Sequence, residues 1–179
     1  MDYLIDSVRG EDAPALAHTL LAAWNRDAGI DEAWIRAHRA DAVTGEGIAQ
    51  WQRFIQEVER QPAQRFCRVV RHGDEIVGLL CGRRDETISL GPMYLLQQVQ
   101  GRGIGRQLMA AFLTWAGGAP IRLWVTAYNE RAIRFYEHYG FEATSERHLW
   151  RNKLWNLRMT RRAPRNNEAN HSERLQAGT

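Results

Sequence analysis

The hydrophobic rhythm of the chain changes near residue 62. Before that point apolar residues recur every three to four positions, first Leu16, Leu20, Leu21 and Trp24, then Ile48, Trp51, Ile55 and Val58. Such spacing lines up one face of a helix. It predicts helices from Asp12 to about Asn25, over about 31–41, and from Thr44 to Gln61-Pro62. Asp12 stands at the expected N-cap, with Pro14 in the first turn. Residues 3–9 alternate weakly and read as a strand.

After Pro62 the pattern shortens. Residues 65–71 and 75–83 predict a hairpin about Gly73-Asp74, and Arg84-Asp85-Glu86 turns the chain into a third strand over 87–96. Helical spacing returns over 103–116, with Ile104, Leu108, Ala111, Phe112 and Trp115 facing inward and Gly117-Gly118 ending the helix. Residues 121–127 are apolar enough to predict a strand covered on both faces. Asn129 caps a last helix that runs to Tyr139 and stops at Gly140. Strands over 141–149 and 153–160 complete an α+β order. A strand–helix–strand unit joined to a meander predicts a mixed, mostly antiparallel central sheet with helices on both faces.

Composition narrows the class. A chain of 179 residues and 20.6 kDa accommodates one domain, read as 1–160. Residues 161–179 are rich in Arg, Asn, Glu and Ser, nearly free of apolar residues, and predict a disordered basic tail. No apolar run is long enough to cross a bilayer, and Met1–Asp6 lacks the basic start of a leader, so a cytoplasmic protein without a membrane partner is expected. The net charge of +3 divides into +2 in the tail and +1 in the other 160 residues, too little for a nucleic-acid footprint. With a Gly73-Asp74 loop, Cys67 falls opposite Leu80. Cys67 and Cys81 are therefore expected on opposite faces, with no disulfide and no metal site. None of the six histidines falls in a recognisable pair.

The chemistry concentrates in Gln100-Gly101-Arg102-Gly103-Ile104-Gly105-Arg106, between a strand and a helix. Glycines at 101, 103 and 105 let backbone N–H groups converge on one spot, and the helix adds its positive N-terminal end. That is an anion cradle. The glycine spacing is not that of a dinucleotide fold, and no Gly-Lys-Ser/Thr is present for a nucleotide triphosphate loop. Downstream, Asn129 and Tyr136 stand seven residues apart, on one face of their helix.

Two motifs together resemble the GNAT superfamily of acyl-CoA-dependent N-acyltransferases. Gln100, Gly103 and Gly105 match its Gln/Arg-x-x-Gly-x-Gly/Ala loop, preceded by Met93-Tyr94-Leu95-Leu96. Asn129, Ala132, Tyr136, Gly140 and Phe141 match its second motif. The resemblance is strong over 86–160, fits the order of elements over 3–85, and does not cover 161–179. It implies acetyl-CoA as co-substrate, held by Tyr94, Leu95, Leu96, Gln100, Gly101, Arg102, Gly103, Ile104, Gly105, Arg106 and Asn129, with no metal. It implies direct attack by an amine, from a small molecule or a peptide, with a backbone N–H near Leu95–Leu96 steadying the carbonyl oxygen. Tyr136 would protonate the departing thiolate, Glu86 could relay the ammonium proton, and Trp24, Trp34 or Trp51 could wall the acceptor pocket. Two departures stand out. Gln97-Gln98 replaces a common Pro-acid joint, and Trp124 stands where the peptide-N-terminal branch keeps a glutamate base. A homodimer is compatible with the family. The competing reading is a catalytically weak acyl-CoA-binding sensor or interaction module.

Overall fold

The computed structural model describes residues 3–19, 43–150 and 153–163. The helix expected over 31–41, Leu20, Leu21, Trp24, Trp34 and residues 164–179 lie outside the described residues. The strands are β1 (Leu4–Ser7), β2 (Arg65–His72), β3 (Glu75–Arg84), β4 (Ile88–Leu95), β5 (Ile121–Thr126), β6 (Glu142–Trp150) and β7 (Leu154–Arg161). They form one sheet in the order β1-β2-β3-β4-β5-β7-β6, antiparallel throughout except for the β4–β5 pair. The helices are α1 (described over 13–19), α2 (Gly45–Arg60), α3 (Ile104–Ala116) and α4 (Glu130–Glu137).

Two apolar clusters sandwich the first half of the sheet. On one face Val8, Leu16, Phe54 and Ile55 pack on Cys67, Val69, Leu79 and Cys81. On the other, α3 places Leu108, Met109 and Phe112 on Phe66, Val77, Leu80 and the inward residues of β5 and β7. A fully buried side chain such as Phe112 contributes about 1.5–3 kcal/mol. Its ring lies where a Cβ on Gly82 would stand, so the glycine on β3 is what lets α3 approach. Thr19 ties α1 to the sheet by donating to the Ile76 carbonyl at 2.8 Å.

Three expectations are corrected here. Cys67 lies directly opposite Cys81, with the two sulfurs 3.0 Å apart and both thiols buried in the same cluster. The turn is the expected one, but a bulge between Val70 and Arg71 adds a residue to the register, and one residue moves a side chain to the other face. Burial pushes the Cys81 thiol pKa up, so that thiol stays protonated at neutral pH. Asp12, next, stands directly before α1 as expected, but its carboxylate serves donors outside that helix. It ends a 3-10 turn (Gly10–Asp12), and its carboxylate accepts the Arg9 N–H at 2.7 Å and a two-pronged pair from Arg71 at 2.9 and 2.8 Å. Finally, β5 is covered on one face only. Ile121, Leu123 and Val125 are buried, while Arg122 and Trp124 are exposed.

Candidate active site

β4 and β5 stay paired over only Ile88 with Ile121, Ser89 with Arg122 and Leu90 with Leu123. Beyond Leu90, β4 is bulged against β3, and bulges bend the strand that carries them. The two strands part, and a cleft of about 1080 Å³ opens between them. Residues on both faces of the sheet line it: Phe135 and Tyr136 from α4, and Trp124, Thr126 and Asn156 from the face that α3 and α4 leave bare.

At one end lies the glycine loop. Gly101 and Gly103 have φ of +76° and +78°, conformations that disfavour any side chain, and a Cβ on either would meet nothing within 4 Å. The space above them is therefore open for a ligand. Gly103 is the N-cap of α3, and its carbonyl accepts from Arg106 and Gln107 at 3.1 and 3.2 Å. The N–H groups of Ile104 and Gly105 precede these and have no intrahelical acceptor. Gln100 fastens the loop at both sides. Its Nε2 donates to the Leu95 carbonyl at 2.8 Å, and its Oε1 accepts from Arg131 at 2.6 Å. Arg106, Arg131 and Arg134 line the cleft. These residues form a cradle suited to an anionic group such as a pyrophosphate.

Not every expected contact faces that space. Arg102 turns away, donating to the Gln98 carbonyl at 3.1 Å with its guanidinium 5.5 Å over the Tyr3 ring. The Ile104 side chain is buried in the core. Leu96 does not line the cleft, and its N–H is committed to the Val77 carbonyl at 2.9 Å. That bond fixes the hydrogen-bonding phase of β4. Leu95, opposite Gly78, then occupies a non-hydrogen-bonded site, so its N–H points away from β3 and into the gap. Leu95, and not Leu96, has the N–H aimed at the cleft.

Tyr94 and Tyr136 both line the cleft. Tyr136 is only 8% exposed, held edge-on by Phe135 and Phe141 at 5.5 and 5.7 Å. Burial raises its pKa, with Tyr94 adding to the shift, so the phenol stays protonated at neutral pH. Asn129 caps α4 by accepting the Ala132 N–H at 3.1 Å, which leaves its amide nitrogen to the cleft it lines. Tyr139 packs against Phe135 with its ring tilted, 5.1 Å between centroids, and also reaches the cleft. Glu86 does not. It is exposed in the turn before β4, about 25 Å of extended strand from Tyr94. Trp51 packs against Phe54 beneath β2 and β3, away from the lining.

A row of residues that the sequence reading passed over sits on the bare face. Thr126 pairs with Asn156, and Asn156 with His148, so the three stand side by side across β5, β7 and β6. Trp124, 41% exposed, and Trp150 flank that row. The one available signal was the last hairpin, which sets His148 opposite Asn156. Placing β7 beside β5 needed the fold. Among the described residues no group of three or more metal-ligating side chains occurs, and no helix is long and apolar enough to cross a membrane.

The chain resembles known proteins in both sequence and fold. A model of the acetyltransferase (GNAT) family matches residues 23–141. The uncharacterized N-acetyltransferase YjgM of Escherichia coli (strain K12) is 31% identical over 96 residues, 49% of this chain and 57% of that protein. The uncharacterized N-acetyltransferase Rv2669 of Mycobacterium tuberculosis (strain ATCC 25618 / H37Rv) is 35% identical over 89 residues, 47% of this chain and 57% of that protein. The chain thus spans little more than half the length of these two relatives. The PaiA N-acetyltransferase of Thermoplasma acidophilum, solved in complex with coenzyme A, superposes with a TM-score of 0.75 at 15% identity, covering 90% of this chain and 99% of that one. At that identity the likeness is one of fold.

Proposed function

This chain belongs to the acetyltransferase (GNAT) family, and from that premise we propose that it moves an acetyl group from acetyl-CoA to an amine bound in the same cleft. The observation that carries the reading is the open glycine cradle at the N-terminus of α3, set at the place where β4 and β5 part. Backbone N–H groups of the loop and Arg106 hold the pyrophosphate, while Asn129 borders the path of the pantetheine arm. The Leu95 N–H steadies charge that develops on the carbonyl oxygen. Tyr136, protonated and fixed among aromatic rings, gives its proton to the leaving sulfur. Holding both reactants in one cleft makes the step effectively unimolecular. No covalent intermediate on the protein is needed.

Calorimetric titration with acetyl-CoA tests the cradle. Gly103→Val puts a branched side chain into the pyrophosphate space, and a variant with unchanged circular dichroism is expected to bind about tenfold more weakly, near 1.4 kcal/mol. Thiol release from acetyl-CoA in the presence of an amine panel tests the transfer. Binding without release for every amine would favour the sensor or interaction module instead.

A further inference from the structure

The described residues lining the cleft include no aspartate and no glutamate. Their ionisable side chains are arginines, tyrosines and two histidines, His138 and His148. An amine arrives at neutral pH as an ammonium and must lose a proton before its nitrogen can attack. Arginine cannot accept that proton, and a protonated phenol has none of the needed basicity, which leaves imidazole among the described lining residues.

The two histidines differ in position. His138 is the C-cap of α4, on the helix side, with its ring edge-on to Tyr139 at 5.5 Å. His148 belongs to the bare face of the sheet, and its ring lies 5.8 Å from that of Trp124 on β5, the strand bordering the gap. It is exposed, so a proton it receives can pass to solvent. Arg158 lies 4.4 Å over the Trp124 ring and is paired with Glu146 at 3.0 Å, so this neighbouring cation is already balanced. From α4, Arg131, Arg134 and His138 complete the charged groups around the cleft. With no carboxylate among its described residues, the lining offers a second positive charge on a ligand no partner. Trp124 and Trp150 offer flat apolar surface to its body.

Resting on the acetyltransferase reading, we propose that the Trp124–His148–Trp150 wall receives an amine with an aromatic or apolar body and a single positive charge, and that His148 accepts the ammonium proton. The freed lone pair forms the C–N bond at the thioester carbonyl carbon, and the C–S bond breaks. The thiolate takes the phenolic proton of Tyr136, the second amine proton returns to the Tyr136 oxygen, and the imidazolium of His148 releases its proton to water. One amide, one thiol and one proton result.

The test follows thiol release from acetyl-CoA by the full chain with 2-phenylethylamine, tryptamine, spermidine and a lysine-rich peptide. The aromatic monoamines are expected to exceed spermidine and the peptide in kcat/KM by about tenfold or more. His148→Gln is expected to lower kcat by roughly a hundredfold and to flatten the acid limb of the pH profile, while calorimetry shows acetyl-CoA affinity unchanged. Added imidazole should restore part of the activity of His148→Ala. A His148→Gln variant within about threefold of the parent with the same acid limb, or a preference for spermidine, overturns the inference and leaves the transferase reading intact. Acetyl-CoA binding with no thiol release for any amine overturns both.

Discussion

On β3 residues 76–82 are all buried, whereas on β5 buried and exposed residues alternate from Ile121 to Val125. Both strands lie well inside the sheet order, yet β3 has helices on both faces and β5 on one. A polar group on β3 would have to be desolvated at a cost of roughly 1–3 kcal/mol unless paired. On the bare face of β5, β7 and β6 that penalty is absent, and Asn156, His148 and Thr126 can sit beside tryptophans. The sandwiched half supplies rigidity. The half-covered one is where side chains are free to meet a ligand.

The comparison can be broken most sharply at Asp12. Its carboxylate is 5% exposed and carries the paired Arg71, itself 14% exposed at the side chain. Asp12→Ala leaves that guanidinium only its longer 3.3 Å pair with Asp6, and urea denaturation is expected to show a loss of about 3 kcal/mol. At the boundary between the halves, Tyr136→Phe should lower turnover by roughly a hundredfold, about 2.7 kcal/mol of barrier, with acetyl-CoA affinity nearly unchanged. A fall of less than about threefold with chemistry rate-limiting would reduce Tyr136 to packing.

Alkali should weaken the buried side next. The Tyr136 and Cys81 pKa values are raised above their ordinary 10.0 and 9.0, so at high pH the unfolded chain gives up protons that the folded one keeps. The stability they confer is full below those ordinary values and falls as pH rises past them. Melting temperature should therefore drop between neutral pH and about pH 11, and drop less in Tyr136→Phe. The smallest effect belongs to the open face. Glu146→Ala removes a partner of Arg158 that is 57% exposed, and stability should change by no more than about 0.5 kcal/mol. A larger loss would show that this face is structural after all.

What the sequence made legible was local. The glycine loop, the Asn129 cap and the Gly73-Asp74 turn each depend on a few adjacent residues with strong backbone preferences, and each appears where the pattern placed it. The bulge at Val70 and Arg71 has no comparable signature, so the pairing of Cys67 with Cys81 could not be read. Apolar composition also misled at β5. Trp124 counts as core in any hydrophobicity pattern, but the parted strands leave its ring at a cleft. The row of Thr126, Asn156 and His148 depends on β7 lying between β5 and β6, an order that periodicity does not encode.

Gln100 has a kinetic consequence. Its amide bridges the end of β4 and Arg131 on α4, so the loop is spanned by a clasp made during folding. The conformational entropy of the loop is lost then, and not when an anion arrives. Association need not wait for the loop to close. Its rate is set by diffusion and by the field of Arg106, Arg131 and Arg134, and should fall with ionic strength, while the residence time reflects bonds to donors already in place.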